Sequence, residues 1–365
     1  MSRPVPVISI IGLGLIGGSL GLAFRSSKLK VSVVGFDSAG VLRRAKKRGA
    51  IDVTAASLRA AVSNADMIFI CTPVNTILRL LPKIARCAKR SAIVTDVGSV
   101  KGVVQECAEK LFGSGPTFVG GHPMAGSEGS GIDYADALLF QNAVYVLCPL
   151  KHSRRTSTAL VALLKSIGAR ILVMDARRHD EAAAAISHLP QLLAVDLVDF
   201  AARKNKKNKA LFQLAAGGFR DMTRIASSPF PLWEEILANN RAPLRSVLRE
   251  YGAMIEESEK QLSSKLLYSL GRKFRRAKAF RDAIPKNSKG FHHSLHDLLI
   301  SVDDKPGVLA KITSVLFRAG INISDIELLK VREGEGGTFR LSFDSAEASV
   351  SAAKALRAKG IRVSK

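Results

Sequence analysis

A glycine-rich segment near the amino terminus constrains the fold of this chain more than any other feature. The apolar run Val7–Ile11 leads into Gly12-Leu13-Gly14-Leu15-Ile16-Gly17, and a helical pattern follows. In such a GxGxxG turn the first glycine permits the tight turn, the second lets a pyrophosphate lie against the backbone, and the third lets helix and strand pack closely. The segment therefore predicts a dinucleotide-binding turn. Its expected cofactor contacts are Gly12, Gly14, Leu15, Ile16 and Gly17.

An acidic residue after the next predicted strand indicates which dinucleotide binds. The strand covers residues 31–36 and is followed by Asp37. A carboxylate at this place accepts hydrogen bonds from the adenosine ribose and repels a 2′-phosphate. We therefore expect NAD as the cofactor, while Arg43 and Arg44 on the following helix leave NADP open.

The apolar residues 5–24 resemble a signal peptide or a membrane span in composition. Their glycines, however, lie where the nucleotide turn needs them, and no clean cleavage site with a polar flank follows. The 4 cysteines lie far apart without a CxxC pair, which favours reduced structural thiols over a metal or redox site. The sequence thus favours a soluble cytoplasmic protein with no membrane partner.

The formal net charge of +24 raises the question of a nucleic-acid partner. The lysines and arginines are dispersed, however, and aromatic residues make up only 6% of the chain and do not interleave with the charges. A solvated basic surface that attracts anionic metabolites explains the charge better. We therefore expect a small-molecule substrate and no nucleic acid.

The order of predicted elements divides the chain into domains. Strands and helices alternate over residues 1–175, which predicts an α/β fold with a doubly wound, mainly parallel sheet of the Rossmann type. Residues 176–284 are predicted to be all-helical, and the polar residues 285–294 to be a linker. Residues 295–365 show the order strand, helix, strand, strand, helix, strand, which is typical of a ferredoxin-like α+β domain.

Two further segments follow predicted strands, where an open parallel sheet binds its ligands. Thr72 and Pro73 come after one buried strand and are expected to contact the cofactor. Ser99 follows the next strand and is placed to hydrogen-bond the nicotinamide or His122. A role for Ser99 as a helix N-cap is an equal alternative.

The segment Gly120–Gly131 places His122 in a glycine-rich turn just after an apparent strand. A neutral imidazole titrates at about pH 6.5, so a positioned histidine can accept a proton at physiological pH. The alternative is that His122 merely caps a turn before Pro123. The nucleotide-binding turn upstream favours the catalytic interpretation.

The helical region adds polar side chains in apolar surroundings. His188 is either a satisfied core histidine or a residue of the pocket. Arg224 carries a planar guanidinium that suits a carboxylate, and its alternative is a buried ion pair with Asp221.

Taken together, these motifs resemble the prephenate and arogenate dehydrogenases of tyrosine biosynthesis. The resemblance covers essentially the whole chain and rests on five segments in order: GLGLIGGSL, DVGSVK, GGHPMAGSEGSG, HD…ISHLPQ and GGFRDMTRIA. The last domain looks like an ACT domain, with Asp304-Lys305-Pro306-Gly307 before its first helix and Gly320-Ile321-Asn322-Ile323 at its second strand.

The resemblance implies an NAD-dependent oxidative decarboxylation. Hydride leaves C4 of a cyclohexadienol ring for NAD, carbon dioxide leaves C1, and the ring becomes aromatic. His122 would accept the proton of the ring 4-hydroxyl, Ser99 would orient His122 and the nicotinamide, and Arg224 would hold a substrate carboxylate. The other substrate-site residues that the resemblance implies are Arg220, Ser127, Glu128, His179, His188 and Gln191.

Gln191 departs from the family pattern, because many relatives carry a histidine at this position. Glutamine forms hydrogen bonds but cannot become cationic, so recognition of the substrate's side-chain terminus stays open. Prephenate, which would give 4-hydroxyphenylpyruvate, is favoured, and arogenate, which would give tyrosine directly, is the alternative.

The ACT-like domain implies control by a small ligand. Such domains commonly pair with a second copy at a free sheet edge, so we expect a homodimer and an aromatic amino acid, first of all tyrosine, as effector. The residues expected at the effector site are Gly307, Gly320, Asn322 and Ile323.

Two other classes of protein are weaker interpretations. One is a catalytically silent sensor of NAD and amino acids. The presence of His122, Ser99 and Arg224 together argues against it, because a sensor does not need these catalytic side chains. A β-hydroxyacid dehydrogenase uses a catalytic lysine in its helical region, and no lysine here lies in a comparable motif.

Overall fold

The chain forms two compact units. The structure, a computed structural model, describes residues 5–113, 115–126, 129–150, 157–206, 209–262, 267–283, 295–303, 305–332 and 336–364. The first unit extends to Arg272 and the second begins at Lys273. The predicted linker 285–294 lies outside the described residues, and the domain limits at 175 and 284 stay a prediction.

The first unit contains one sheet. Its strands are β1 Val7–Ile11, β2 Ser32–Phe36, β3 Val53–Thr54, β4 Met67–Ile70, β5 Ile93–Asp96, β6 Thr117–Pro123, β7 Val144–Pro149 and β8 Arg170–Val173. They lie in the order β3-β2-β1-β4-β5-β6-β7-β8, and neighbours are parallel except β6 and β7. This confirms the prediction of a doubly wound, mainly parallel sheet.

Helices cover both faces of this sheet. They are α1 Leu15–Ser26, α2 Ala39–Lys47, α3 Leu58–Val62, α4 Val74–Cys87, α5 Gly102–Leu111 and α6 Ser157–Ser166. Successive residues of β4 point to opposite faces, so Phe69 packs with Phe24 of α1, while Ile68 and Ile70 belong to the cluster that contains Leu81 of α4. Because both faces are buried, the central strands are continuous apolar runs.

The described residues from 176 to 283 contain helices and no strand, as predicted. The helices are α7 Ala176–Ala183, α8 Leu189–Asn205, α9 Gly217–Thr223, α10 Phe230–Asn239, α11 Arg241–Leu262 and α12 Leu267–Ala283. A π-helical turn, Ala184–His188, joins α7 to α8, and a 3₁₀ turn, Arg224–Ser227, follows α9.

One helical stretch is long and apolar enough to cross a membrane by length and composition. It covers Ala176–Asn205, and the described residues contain no other. A core helix of a soluble protein passes the same test, and this stretch carries four buried polar side chains, those of His179, Asp180, His188 and Gln191. Such side chains suit a protein interior.

The second unit is a four-stranded antiparallel sheet with two helices on one face. Its elements are β9 His296–Val302, α13 Val308–Arg318, β10 Asp325–Arg332, β11 Gly336–Phe343, α14 Ala346–Arg357 and β12 Arg362–Ser364. The strand order is β10-β11-β9-β12. Ile300 and Phe343 of the sheet form one buried cluster with Leu316 of α13 and Leu356 of α14. This confirms the predicted ferredoxin-like domain.

Candidate active site

The predicted nucleotide turn joins β1 to α1. Gly12 has a φ of +91°, and a Cβ atom on it would lie 2.6 Å from the carbonyl oxygen of Cys71. A Cβ atom on Gly17 would lie 1.9 Å from the carbonyl oxygen of Gly12, so this contact also requires glycine. Around Gly14, by contrast, no atom lies within 4 Å of such a Cβ. The turn therefore leaves open space beside the N-terminus of α1, where a pyrophosphate is favoured.

The side chains around this turn fit NAD. Asp37 follows β2, and its Oδ2 accepts the backbone N–H of Leu13 at 2.8 Å, which holds the carboxylate against the turn. Arg44 pairs with Asp133 (Nε to Oδ2, 3.5 Å), so one of the two arginines that left NADP open already has an acidic partner. The Oγ1 atom of Thr72 is buried and has no hydrogen-bond partner, so a bound cofactor would satisfy it.

The remaining predicted cofactor residues lie around the same sheet edge. Leu15 and Ile16 form the first turn of α1, and Pro73 is the residue before α4. Ser99 is half-buried in the loop between β5 and α5.

His122 lies within β6 and not in a turn after it, so this part of the sequence-based interpretation is wrong. β6 continues through Pro123 because it pairs antiparallel with β7, with His122 opposite Val146. Gly121 serves close packing inside the sheet: a Cβ atom on it would lie 2.5 Å from the carbonyl oxygen of Asp96. The imidazole of His122 is only 9% exposed.

A buried ion pair holds the backbone just before His122. The ammonium of Lys101 donates to the carboxylate of Asp96, and the two residues are 1% and 0% exposed. Lys101 Nζ also donates to the carbonyl oxygen of Gly121 at 2.7 Å, while the Gly121 N–H donates to Asp96 Oδ1 at 3.2 Å. Both backbone polar groups of Gly121 are thereby held, which fixes where the adjoining imidazole lies.

His122 contacts a second buried histidine. Its Nδ1 lies 2.8 Å from Nε2 of His179, and Nδ1 of His179 lies 2.8 Å from Oδ1 of Asp180. Burial first, and then the charges of His179, Lys101 and His188, lower the pKa of His122 well below its usual value. His122 is therefore held neutral at physiological pH, as a proton acceptor must be.

Asp180 also caps α5, and the alternative that Ser99 is its N-cap is wrong. The helix begins at Gly102, and the backbone N–H groups of Lys101 and Gly102 each donate to the Asp180 carboxylate at 2.8 Å. This carboxylate reaches the helix from α7, far along the chain. Among the described residues no hydrogen bond joins Ser99 to His122, whose described partner is His179.

His188 and Gln191 bind their own neighbours in the helical region. His188 is buried, with Nδ1 3.1 Å from Asn240 Nδ2 and its ring edge-on to Trp233. Burial is the main reason why the pKa of His188 is lowered to about 4. Gln191 Nε2 donates to the carbonyl oxygen of Ile225 at 2.9 Å, which ties α8 to the turn that carries Arg224.

Arg220 and Arg224 are exposed in the single chain. Asp221 is exposed too, so the alternative of a buried ion pair between Arg224 and Asp221 is wrong. Ser127 and Glu128 lie outside the described residues.

Gly307 lies before α13, whereas Gly320, Asn322 and Ile323 follow it, so these predicted effector-site residues lie at the two ends of the helix in one chain. Gly307 precedes α13 with a φ of +84°, whereas Gly320 follows it with a φ of +68°. The 11 residues of α13 separate them by about 16 Å. Gly320 ends the helix, since its N–H and that of Ile321 bond back to Phe317 and Leu316. Ile323 packs against the buried core of the domain.

Each end of α13 borders its own cavity. One, of about 360 Å³, is lined by Asp303, Lys305, Gly307, Leu328 and Phe339 among others. The other, of about 430 Å³, includes Gly320, Asn322, Asp344 and Glu347 in its wall.

Four buried polar residues at the site were missed from the sequence: Asp96, Lys101, Asp180 and Asn240. Asp96 and Lys101 belong to the motif segment DVGSVK, and Asp180 belongs to HD. The motifs therefore indicated that these residues lie near the site, but not which hydrogen bonds they form. Asn240, whose Nδ2 donates to the Asp180 carbonyl oxygen at 2.8 Å, carries no motif. The described residues contain no group of three or more His, Cys, Asp or Glu placed to hold a metal ion.

A neutral buried imidazole in the same sheet as an open dinucleotide turn is the arrangement of an NAD-dependent dehydrogenase. Comparison with known proteins narrows this class. Residues 20–173 match the family model "Prephenate dehydrogenase, nucleotide-binding domain", residues 175–276 match "Prephenate dehydrogenase, dimerization domain", and residues 296–358 match "ACT domain". The chain belongs to the prephenate dehydrogenase family.

Individual relatives agree with this assignment. The prephenate dehydrogenase of Bacillus subtilis is 36% identical over 348 residues, 94% of each chain. The structure of a prephenate dehydrogenase from A. aeolicus in complex with hydroxyphenyl propionate and NAD+ has a TM-score of 0.71 at 28% identity, over 78% of this chain and 100% of that one. A Synechocystis arogenate dehydrogenase has a TM-score of 0.68 at 32% identity, over 76% and 99%.

Proposed function

We propose that this chain converts prephenate to 4-hydroxyphenylpyruvate in tyrosine biosynthesis, with NAD as the hydride acceptor and His122 as the base. The observation that carries the proposal is the buried imidazole of His122, held neutral and fixed through Nδ1, which leaves Nε2 for the substrate hydroxyl. When bound at the glycine turn, NAD supplies the acceptor for the hydride from C4 of the ring.

The protein residues position the substrate and move its hydroxyl proton. His122 accepts that proton, which raises electron density at C4 and favours loss of hydride. Arg224 and Arg220 supply cations for the two carboxylates of prephenate, because guanidinium groups bind carboxylates in a planar, bidentate manner. Ser99 lies in the loop after β5 and orients the nicotinamide and His122 once cofactor is bound. Ser127, Glu128, His188 and Gln191 complete the proposed pocket.

Arogenate is the second candidate substrate. It carries an amino group where prephenate has a keto group, and one solved relative is named an arogenate dehydrogenase. Gln191 stands where many relatives carry a histidine. Its side chain is neutral, and its Nε2 already donates a hydrogen bond to the carbonyl oxygen of Ile225. Gln191 itself offers no negative charge to an ammonium group, which favours prephenate.

The test is the appearance of NADH absorbance with each substrate under the same conditions. We expect kcat/KM for prephenate to exceed that for arogenate. A higher value for arogenate would replace prephenate as the substrate, and turnover with neither would overturn the proposed function.

We also infer a cytoplasmic homodimer. The helical region exposes large apolar side chains over more than half of their surface, among them Ile186, Phe200, Leu214, Met222, Phe230 and Leu232. A second copy that covers them would remove this surface from water. Light scattering of the purified protein should give about twice the chain mass of 39.2 kDa, and a monomer at working concentration would contradict the inference.

We further infer that the ACT domain binds an aromatic amino acid, first of all tyrosine, between two copies. Gly307 and Asn322 border different cavities of one domain, so a site that uses both needs a second copy. The strands β10 and β12 are the free edges of the sheet at which two copies can pair.

A further inference from the structure

We propose that Asp180, His179 and His122 form a linear proton relay, in which Asp180 sets the tautomers of both imidazoles and His179 takes over the positive charge that His122 gains. The proposal rests on the proposed role of His122 as base. Asp180 and His179 do not touch the substrate in this scheme: they are positioning residues that act through His122. The geometric basis is a chain of three hydrogen bonds in the protein interior. They join His122 to His179, His179 to Asp180, and Asp180 to the backbone N–H of Lys101.

The direction of the first hydrogen bond follows from Asp180. Its Oδ1 accepts the N–H of Lys101 and its Oδ2 that of Gly102, each at 2.8 Å. A carboxylate whose two oxygens are both held by fixed backbone donors acts as an acceptor. The third contact of this carboxylate, with Nδ1 of His179 at 2.8 Å, must therefore be donated by the imidazole. His179 thus carries its proton on Nδ1.

The second hydrogen bond follows from the first. A neutral His179 with its proton on Nδ1 has a bare Nε2, which can only accept. Nδ1 of His122, 2.8 Å away, must then be the donor. Nε2 of His122 is left bare, and it becomes the atom that receives the substrate proton. Asp180 determines this outcome without touching His122, in the way that a buried carboxylate selects the tautomer of a catalytic histidine.

The proton movements balance along this line. The substrate O–H bond breaks as its proton bonds to Nε2 of His122, and the electron pair of that bond forms the carbonyl as hydride leaves C4 for NAD. The Nδ1–H bond of His122 breaks in turn, and this proton bonds to Nε2 of His179. His122 is again neutral, and the positive charge lies on His179 in contact with the Asp180 carboxylate. As carbon dioxide leaves C1, the C1–carboxyl bonding pair aromatises the ring and the C4 carbonyl oxygen becomes a phenolate. The reverse transfer then returns the proton from His179 to His122 and from Nε2 of His122 to this oxygen, which restores the starting state with no net proton released.

The groups around the two imidazoles explain why the positive charge would move from His122 to His179. The charged and titratable groups around the two imidazoles are Asp180, Lys101, which pairs with Asp96, and His188 from the π-helical turn. Burial and the charge of Lys101 both disfavour a cation on His122. His179 is the imidazole of the pair in hydrogen-bond contact with a carboxylate, so a cation is better stabilised there.

Replacing His179 separates orientation from proton transfer. In His179→Gln the amide oxygen can still accept the Nδ1–H of His122, but it cannot take up a proton. We expect kcat to fall by about 100-fold, the low end of the usual range for general acid–base catalysis, while the Kd for NAD changes by less than about twofold. Retention of more than a third of wild-type turnover would overturn the relay and leave His179 as a support only.

Replacing Asp180 tests the role of its charge. In Asp180→Asn the imidazolium form of the pair loses its counter-charge, so we expect a lower kcat and an acidic limb of the kcat profile that moves to lower pH. The matched control is Asp175→Asn. Asp175 caps α7 by accepting the N–H of Arg178 at 2.9 Å, and asparagine caps as well as aspartate. An Asp180→Asn enzyme that is less stable but has an unmoved pH limb would show that Asp180 is only a helix cap.

The tautomers can be read directly from ¹⁵N NMR of histidine-labelled wild-type protein. We expect protons on Nδ1 of both His122 and His179 at neutral pH, and a proton on Nε2 of His122 would overturn the proposal. This readout does not depend on turnover. Loss of activity in His122→Asn together with the expected tautomers supports both ideas, whereas full activity in that variant refutes the proposed base and the relay with it.

Discussion

At the scale of single residues, the chemistry of His122 depends on what surrounds it. Most histidines are free to ionise near neutral pH. Burial and three neighbouring cationic or ionisable groups lower the pKa of His122, and its Nδ1 is engaged by His179. These surroundings favour the neutral imidazole, and among the described residues the hydrogen bond of His122 is made through Nδ1. The sequence identified the residue, but its protonation state follows from packing.

The proposed base is tested by His122→Asn. Asparagine is polar and of similar size but cannot accept the proton, so we expect kcat to fall by about 100-fold or more, with a modest change in NAD affinity. Steady-state kinetics and equilibrium binding of NAD measure the two effects. A variant that keeps half of the wild-type turnover would exclude His122 as the base.

The proposed carboxylate contact is tested by Arg224→Ala. A charge-assisted hydrogen bond contributes roughly 1.5 to 3 kcal/mol, so we expect the KM for prephenate to rise by about ten- to a hundredfold, with a smaller change in kcat. Arg203→Ala is a control, because Arg203 pairs with Asp199 on an exposed face of α8. If KM does not change in Arg224→Ala, the arginine does not bind substrate.

At the scale of elements, the active site depends on contacts between segments that are distant in the chain. The loop after β5 supplies Lys101, which holds Gly121 of β6, and α7 supplies Asp180, which caps α5. Each contact joins two elements at the edge of the sheet. The contacts that set the geometry of the site therefore also stabilise the fold.

The buried ion pair gives a prediction about stability. Lys101→Met should lower the free energy of unfolding by about 3 to 5 kcal/mol, because Asp96 is left as a buried charge without its cation. The matched control is Lys89→Met, which removes a partly exposed pair with Asp66 and should cost about 1 kcal/mol or less. Urea unfolding measures both variants, and equal losses would show that burial does not strengthen the Lys101 pair.

His188 gives a prediction about pH. Its pKa is about 4 in the folded chain and 6.5 as the reference value, so the unfolded chain binds a proton first as pH falls. Stability from neutral His188 is complete above about pH 6.5 and is lost as pH falls towards 4. We expect the loss between pH 6.5 and 5 to be smaller in His188→Gln. An unchanged pH dependence of unfolding in that variant would contradict the assignment.

At the scale of the whole molecule, catalysis and proposed regulation belong to two separate compact units. The unit of the dehydrogenase site contains its own cores, and the ACT domain contains another. Control by an amino acid therefore requires that binding in one unit changes the other. The proposed homodimer would provide the second copy that the proposed effector site needs.

We expect tyrosine to inhibit the intact protein and Asn322→Ala to weaken this inhibition by about tenfold, since an amide that binds the ligand's charged groups is lost. Lys311→Ala, on the same domain but in neither of the cavities at Gly307 and Asn322, should leave inhibition unchanged. Inhibition assays at fixed prephenate concentration compare them. If a form without residues 291–365 is inhibited as strongly as the intact chain, tyrosine acts at the active site.

The sequence alone determined the features that depend on neighbours along the chain. The spacing of glycines in Gly12–Gly17, the carboxylate of Asp37 at the end of β2 and the periodicity of each domain are local patterns, and the predicted fold class followed from them. His122 was recognisable for the same reason, as part of a motif.

Only the tertiary structure decided which side chains meet. His122 and His179 are 57 positions apart, and Asp180 reaches Lys101 across 79 positions. The tertiary structure also decided which residues stay apart. Gly307 and Gly320 both lie in typical ACT motifs, but α13 separates them. Hydrogen-bond partners, burial and pKa depend on how strands and helices pack in three dimensions, and no local pattern contains that information.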